Sequence, residues 1–187
     1  LFDGIAMDKV SIRGSINHPH IVLWAMYMAV AEKQGVPPEK MGGNVHWDCL
    51  NEYLGRGAYI FPPEGAMRLA LDFLEFGLKR IPRLSYQVNA YTVRESGATL
   101  IQECAYALAA GSAYLDAAHK RGIAVDDFAP RLSFNHAIHM NLFEEAAKFR
   151  ALRRMWARLM KDKYGAKNPA SMRFRFGPGT GGSTFTA

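Results

Sequence analysis

The chain has 187 residues, 49% of them hydrophobic and 21% charged, a globular composition with material for one core. A formal net charge of +6 admits a phosphorylated ligand or an acidic partner and does not choose between them. No apolar run reaches the ~18–20 residues of a bilayer span, and the first residues do not read as a signal peptide, so no membrane role is expected. Cys49 and Cys104 lack paired metal spacing and read as buried small hydrophobes. The chain starts without Met and stops at Ser183-Thr184-Phe185-Thr186-Ala187 in what reads as the interior of a fold. A piece of a larger protein is expected.

Along the chain, short strand-like runs alternate with longer helical ones. Val10 to Ile16 is strand-like and leads into a helix from about His20 to Gln34. The breaker Gly35-Val36-Pro37-Pro38 precedes a second strand near Asn44 to Trp47 and a short helix over about Cys49 to Leu54. Pro62-Pro63 opens a helix from Glu64 to about Lys79, because a proline in the first turn lacks only an N–H that would be unpaired there. Leu84 to Ala90 is the third strand. The helix behind it, Leu100 to Lys120, repeats Ile101, Cys104, Ala105, Leu108 and Leu115 on one face. Arg131 to Phe134 is the fourth strand, His139 to Lys163 the longest helix, and Met172 to Phe176 the fifth strand. Five such alternations predict parallel strands with helical crossovers, in an open doubly wound sheet or part of a (β/α)8 barrel.

In such folds the ligand sits at the carboxyl ends of the strands. Asn17, His18 and His20 follow the first strand, and His46, Trp47 and Asp48 end the second. Tyr91, Thr92, Arg94 and Glu95 follow the third, and Asn135 and His136 the fourth. A glycine-rich loop, Gly177 to Gly182, follows the fifth. This predicts a polar, aromatic and cationic mouth. His18, His46 and His136 fall on it, as a general acid or hydrogen-bond donor among them rather than a metal site, since no HxH, HExxH or CxxC spacing ties them together. Arg56 is either a carboxylate clamp or an ordinary surface residue. The glycine run is either a phosphate cradle or a tight turn. The face carrying Lys148, Arg150, Arg153, Arg154, Arg158 and Lys161 reads as solvated exterior. No nucleic-acid role is expected, for want of interleaved aromatics or a known module.

Six segments in order carry a more specific signal: Leu1-Phe2-Asp3-Gly4-Ile5, Glu32-Lys33-Gln34-Gly35-Val36, Tyr59-Ile60-Phe61-Pro62-Pro63, Arg94-Glu95-Ser96-Gly97-Ala98-Thr99, Phe128-Ala129-Pro130-Arg131-Leu132-Ser133-Phe134 and Lys167-Asn168-Pro169-Ala170-Ser171-Met172. They resemble the cobalamin-dependent acyl-CoA mutases, the family of methylmalonyl-CoA mutase and its relatives. The resemblance implies an α/β fold, a partial (β/α)8 TIM barrel covering roughly strands three to seven of the substrate domain. It implies an isomerase that threads acyl-CoA through the barrel axis while adenosylcobalamin closes the mouth and supplies the radical. No Asp-x-His-x-x-Gly sequence occurs here, so the cofactor is expected in a separate cobalamin-binding domain or subunit. The partners implied are that unit and the rest of the barrel, in a dimer or hetero-oligomer. The compartment implied is a bacterial or archaeal cytoplasm, or a mitochondrial matrix.

Residue by residue, the resemblance assigns Arg56 to the free carboxylate of a methylmalonyl- or succinyl-type acyl-CoA and Tyr91 to the active-site tyrosine. Arg131 and Ser133 fall on strand-end acyl-CoA contacts, and Asn44 and Asn89 complete the expected substrate-binding set with Gly177 and Gly179. Four positions depart from the family pattern. Thr92 replaces a histidine that hydrogen-bonds the thioester carbonyl, His46 replaces a glutamine, and Gly177 and Gly179 replace a histidine and a glutamine. Losing a donor to a reacting carbonyl costs about 3–4 kcal/mol of transition-state stabilisation unless another group replaces it. His46 is the expected replacement. The alternative is a non-catalytic mutase-like subunit that binds acyl-CoA or stabilises a catalytic partner.

Overall fold

The computed structural model describes residues 1–185. Five parallel strands, β1 (Ile12–Ser15), β2 (Gly42–His46), β3 (Arg83–Asn89), β4 (Leu132–Ile138) and β5 (Phe176–Thr180), pair strictly in chain order. A doubly wound sheet reverses its strand order at a switch point, and this one does not. The sheet curls one way into a half-barrel, as a partial (β/α)8 barrel requires.

The crossovers supply the outer layer. Helix α1 (His20–Lys33) joins β1 to β2. Helix α2 (Cys49–Asn51) runs into a π-helical turn, Glu52–Arg56, and then α3 (Pro63–Arg80) leads to β3. Pro63 sits at the first turn of α3, as its fixed φ favours. After β3 come α4 (Tyr91–Glu95), α5 (Leu100–Lys120) and α6 (Val125–Phe128), and α7 (Leu142–Asp162) joins β4 to β5. A capping box starts α5, with Thr99 and Gln102 each satisfying the other's backbone N–H.

The core lies between sheet and helices, and its largest side chains are aromatic. Trp47 stacks on Tyr114 at 4.6 Å, and Phe134 packs edge-on to Trp156 at 5.0 Å. A Cβ at Gly77 would collide with the Tyr86 hydroxyl, so glycine there lets α3 settle on β3.

Four expectations are corrected. The fifth strand is not Met172 to Phe176 but Phe176–Thr180, so the glycine run is mostly strand rather than loop. The reason is β4, which extends to Ile138 and offers its ladder groups as far as Thr180. That pairing overrides the low strand propensity of glycine. The longer β4 also carries Asn135 and His136 within it. His136 shares its face with Leu132 and Phe134 and points at the helices, away from the mouth. Its Nδ1 lies 2.8 Å from Glu103 Oε1 on α5.

Lys148 is not solvated. It falls on the buried stripe of α7 with Glu145, Leu152, Trp156 and Met160. Its ammonium donates to Glu103 Oε2 at 3.1 Å and to the Ala137 carbonyl, and it pairs with Glu145. Arg94 approaches Glu103 at 3.8 Å, so two carboxylates and two cations close this buried cluster beside His136. Removing one partner of a buried set strands the others' charge. Lys148→Met is expected to lower the stability of the full-length protein by about 3 kcal/mol in urea unfolding.

Candidate functional site

Lateral partners in a parallel sheet point the same way, so the register sorts every strand residue onto one of two faces. Val45, Leu84, Tyr86, Val88, Leu132 and Phe134 face the helices and are buried. The other face looks onto the barrel axis and is polar. Its lowest described layer joins Arg13, Asn44 and Ser85 across β1 to β3. Asn44 Nδ2 donates to Ser85 Oγ at 2.8 Å and reaches Ser133 Oγ at 3.4 Å. The next layer aligns Ser15, His46, Gln87 and Ser133, and above it Asn135 Nδ2 donates to Asn89 Oδ1 at 3.4 Å. Gly177 and Gly179 complete this face on β5. Barrels that serve only as scaffolds fill this space with bulky branched side chains in interlocking layers. Small and polar residues leave it open to a polar ligand.

At the carboxyl end the mouth is assembled around Asp48. Its Oδ2 accepts from the Asn89 N–H at 2.8 Å, and its Oδ1 accepts from Tyr114 Oη at 2.9 Å and from the Asn51 N–H at 3.3 Å. One carboxyl group thereby ties the end of β3 to α2 and α5. Burial pushes its pKa up to about 6, against the lowering effect of these hydrogen bonds. The π-helical turn that follows docks on α4. Ser96 Oγ donates to the Gly55 carbonyl at 3.0 Å, and a Cβ on Gly55 would meet the Thr92 backbone at 3.2 Å.

That turn ends in Arg56, partly exposed, with Nε 3.8 Å from Glu52 Oε1. Its guanidinium is close enough to His46 to depress the imidazole's pKa. His46 is buried, and its pKa is lowered to about 4 by desolvation first, then by Arg13 and Arg56. Arg13 reaches up from the layer below, placing Nη2 3.5 Å from His46 Nε2 and 3.1 Å from Gln87 Oε1. Among the described residues His46 Nδ1 has no hydrogen-bond partner.

The structure thus places Arg56 near enough for its charge to act on His46, which shares the axis face with Asn44, Asn89, Ser133, Gly177 and Gly179. Tyr91 stands at the rim with its ring against Gly179 and its hydroxyl 3.4 Å from the Thr180 carbonyl. Thr92 Oγ1 donates to Asn51 Oδ1, so its one hydroxyl proton is already committed. Arg131 stands at the amino-terminal end of β4, the end away from the mouth. It precedes β4 and donates to the Gly77 and Ile81 carbonyls at 3.2 Å each, capping α3 at the foot of β3.

Other mouth residues are engaged structurally. Asn17 donates to Glu52, His20 Nδ1 bonds the Asn17 carbonyl, and His18 receives the Ile60 N–H. Glu95, His139 and Ser183 form a trio that looks like a nucleophile with its base, Ser183 Oγ lying 3.2 Å from His139 Nε2. Arg94 approaches His139 Nδ1 at 3.4 Å, and a guanidinium only donates. The ring proton therefore sits on Nε2, which has no lone pair for a serine proton. The trio is a latch from the segment after β5 to α4, not a catalytic base. The cysteine thiols are pushed up to about 11 by burial, which keeps them as inert thiols.

Sequence reasoning missed Arg13, Gln87 and the role of Asp48. The signal for the first two was present: Ile12, Gly14 and Ile16 alternate with Arg13 and Ser15, which puts the arginine on the face opposite the core. Asp48 acts through partners far away in sequence and left no local signature.

Five in-order parallel strands with helical crossovers, a polar axis face and a cationic rim define a (β/α)-barrel segment. The chain belongs to the methylmalonyl-CoA mutase family, whose model matches residues 1–187. It is 43% identical, over its whole length, to the methylmalonyl-CoA mutase large subunit of Streptomyces virginiae, covering 26% of that protein. Against the mitochondrial methylmalonyl-CoA mutase of Homo sapiens the identity is 40%, again over the whole chain and 25% of the relative. Against the 2-hydroxyisobutanoyl-CoA mutase large subunit of Aquincola tertiaricarbonis it is 39%, covering 33% of the relative. The chain thus spans between a quarter and a third of these relatives' lengths.

Replacing Asp48 by alanine leaves three donors unpaired and is expected to lower stability by roughly 3 kcal/mol or more in urea unfolding. Because the folded pKa of Asp48 is raised from 3.8 to about 6, its contribution is full below 3.8 and is lost as pH rises through 6. The penalty of Asp48→Ala should therefore be larger at pH 4 than at pH 8.

Proposed function

We propose that this chain is the central wall of the substrate barrel of an adenosylcobalamin-dependent carbon-skeleton mutase acting on a carboxyacyl-CoA. The reading is carried by the mouth, where a buried, neutral histidine with a free ring nitrogen lies beside two arginines on a polar axis face. In this reading Arg56 receives the free carboxylate, through the paired N–H geometry that suits a guanidinium. His46 donates to the thioester carbonyl, since Thr92 is bonded to Asn51. Asn44, Ser85 and Ser133 offer hydrogen bonds to the polar arm of the thioester, and Asn89 lines the layer nearest the mouth.

The residues of this chain fit a wall facing the cofactor rather than its seat. Tyr91 lies over Gly179, and the missing side chains at Gly177 and Gly179 leave the rim open on that side. Among the described residues no group of three His, Cys, Asp or Glu is placed to hold a metal ion. When bound, adenosylcobalamin supplies the radical chemistry, and the chain supplies position, polarity and exclusion of water. The remainder of the barrel and a cobalamin-binding domain or subunit are the partners this requires, in a dimer or hetero-oligomer. No helix of the described residues is long and apolar enough to cross a membrane. The bacterial and mitochondrial relatives support a bacterial cytoplasm or a mitochondrial matrix.

One observation favours a second reading, a non-catalytic subunit that binds acyl-CoA: the Thr92 hydroxyl points its proton at Asn51. Mixing the complete protein with adenosylcobalamin and succinyl- or methylmalonyl-CoA separates the two readings. Cob(II)alamin coupled to an organic radical in the EPR spectrum is the expected result, and tight acyl-CoA binding with no radical would favour the second. In the active protein, Arg56→Gln is expected to lower kcat/KM for carboxyacyl-CoA about 10- to 100-fold, the size of a lost charge-assisted hydrogen bond.

A further inference from the structure

We propose that Arg13 is a positioning residue that holds His46 in one neutral tautomer, with the proton on Nδ1 as the donor available to a ligand. The inference rests on the reading above, that His46 supplies the donor to the thioester carbonyl, and says what makes that donor reliable.

A guanidinium has five N–H donors and no acceptor. Arg13 Nη2 stands 3.5 Å from His46 Nε2, so a favourable contact requires the lone pair on Nε2. A neutral imidazole has one proton, and it then sits on Nδ1. Two further facts favour this arrangement. The same Nη2 donates to Gln87 Oε1 at 3.1 Å, which anchors the guanidinium across the front of β2; Gln87 is also within hydrogen-bond reach of His46, so Arg13 competes with the ring for that oxygen. His46 Nδ1 is buried and has no partner among the described residues, and an orphaned buried donor marks a place where a ligand atom belongs.

The charges facing His46 act in the same direction. Arg13 from β1 and Arg56 from the π-helical turn both disfavour the imidazolium, burial does so more strongly, and only the Gln87 amide on β3 works the other way. No carboxylate is among the groups acting on it. With its pKa lowered to about 4, the ring stays neutral across the physiological range and its donor does not titrate there. Arg13 itself has no ion pair within 4 Å among the described residues, so its charge is not cancelled at the site.

Removing the guanidinium reverses the arrangement. Gln87 Oε1 becomes free to accept, the proton moves to Nε2–H, and Nδ1 turns from donor to acceptor. The thioester carbonyl then loses its hydrogen bond although His46 is still present. Infrared spectra of the complete protein with succinyl-CoA carrying 13C at the thioester carbonyl read this directly. Wild type is expected to show the bound carbonyl band displaced from that of free succinyl-CoA. In Arg13→Ser the band returns toward the free position, and Arg13→Lys, which also only donates, restores it.

15N spectra of histidine-labelled full-length protein should show the wild-type His46 proton on Nδ1. In Arg13→Ser the proton moves to Nε2 and the midpoint rises by about one pH unit. Turnover in Arg13→Ser is expected to fall about 100- to 1000-fold with KM unchanged, the effect of losing a donor to a reacting carbonyl. An unchanged band and an unchanged tautomer in Arg13→Ser, with His46→Ala shifting the band, would overturn the role of Arg13 alone. A band indifferent to His46→Ala would overturn the donor assignment of His46 and this inference together.

Discussion

The alternation of side chains along five in-order parallel strands is the constraint on which everything else depends. Because each strand pairs with its sequence neighbour, one face of the curled sheet is always outside and the other always on the axis. The outer face must then carry the whole apolar core, and it does, with Tyr86, Phe134 and Val88 set against the helices. Only a sheet whose stability comes from one side can leave the other side polar. The hydrogen bonds among Asn44, Ser85 and Ser133 satisfy groups that a closed apolar barrel core would have excluded.

The charge distribution follows from the same division. Behind the sheet, Glu103, Glu145, Lys148 and Arg94 neutralise one another where no water reaches, and His136 completes the set. On the axis side Arg13 has no carboxylate partner among the described residues and Arg56 has one at 3.8 Å. The two groups of charges are separated by one sheet and behave differently for that reason. Paired ions outside hold helices to strands, while the cations inside are only weakly compensated. Asp48 links them mechanically, since it bonds the end of β3, the start of α2 and the Tyr114 hydroxyl from α5.

Much of this was legible in the sequence, and the failures share a cause. The bounds of α5 follow from local signals such as its Thr99–Gln102 box. Its buried stripe, however, runs through Glu103, Ala107, Ala110, Tyr114 and Leu115, leaving Ile101 and Ala105 of the expected apolar face exposed. The half-barrel and the family follow from the β-α order and the six segments. The position of β5 does not, because a strand of Phe, Gly, Pro, Gly and Thr exists only through the ladder that β4 offers it. Lys148 and His136 were misplaced for a related reason. A basic side chain suggests solvent until its partner is known, and Glu103 lies 45 residues away from Lys148 in sequence. One residue of register decides whether His136 or Asn135 faces the axis, and that register is set across strands rather than along them.

The same logic bears on the corner between β3 and α5, where Thr92 stands. A donor to a carbonyl in a barrel mouth need not come from one particular strand; it must arrive at one point in space with its proton pointing the right way. Thr92 cannot serve, because α4 turns its hydroxyl onto Asn51, whose own backbone N–H is held by Asp48. His46 comes from the neighbouring strand, one sheet spacing away, with a ring long enough to reach into the axis. In the proposed arrangement Arg13 and Gln87 matter as much as the histidine itself. An unsupported imidazole would divide its proton between two nitrogens and change charge near neutral pH.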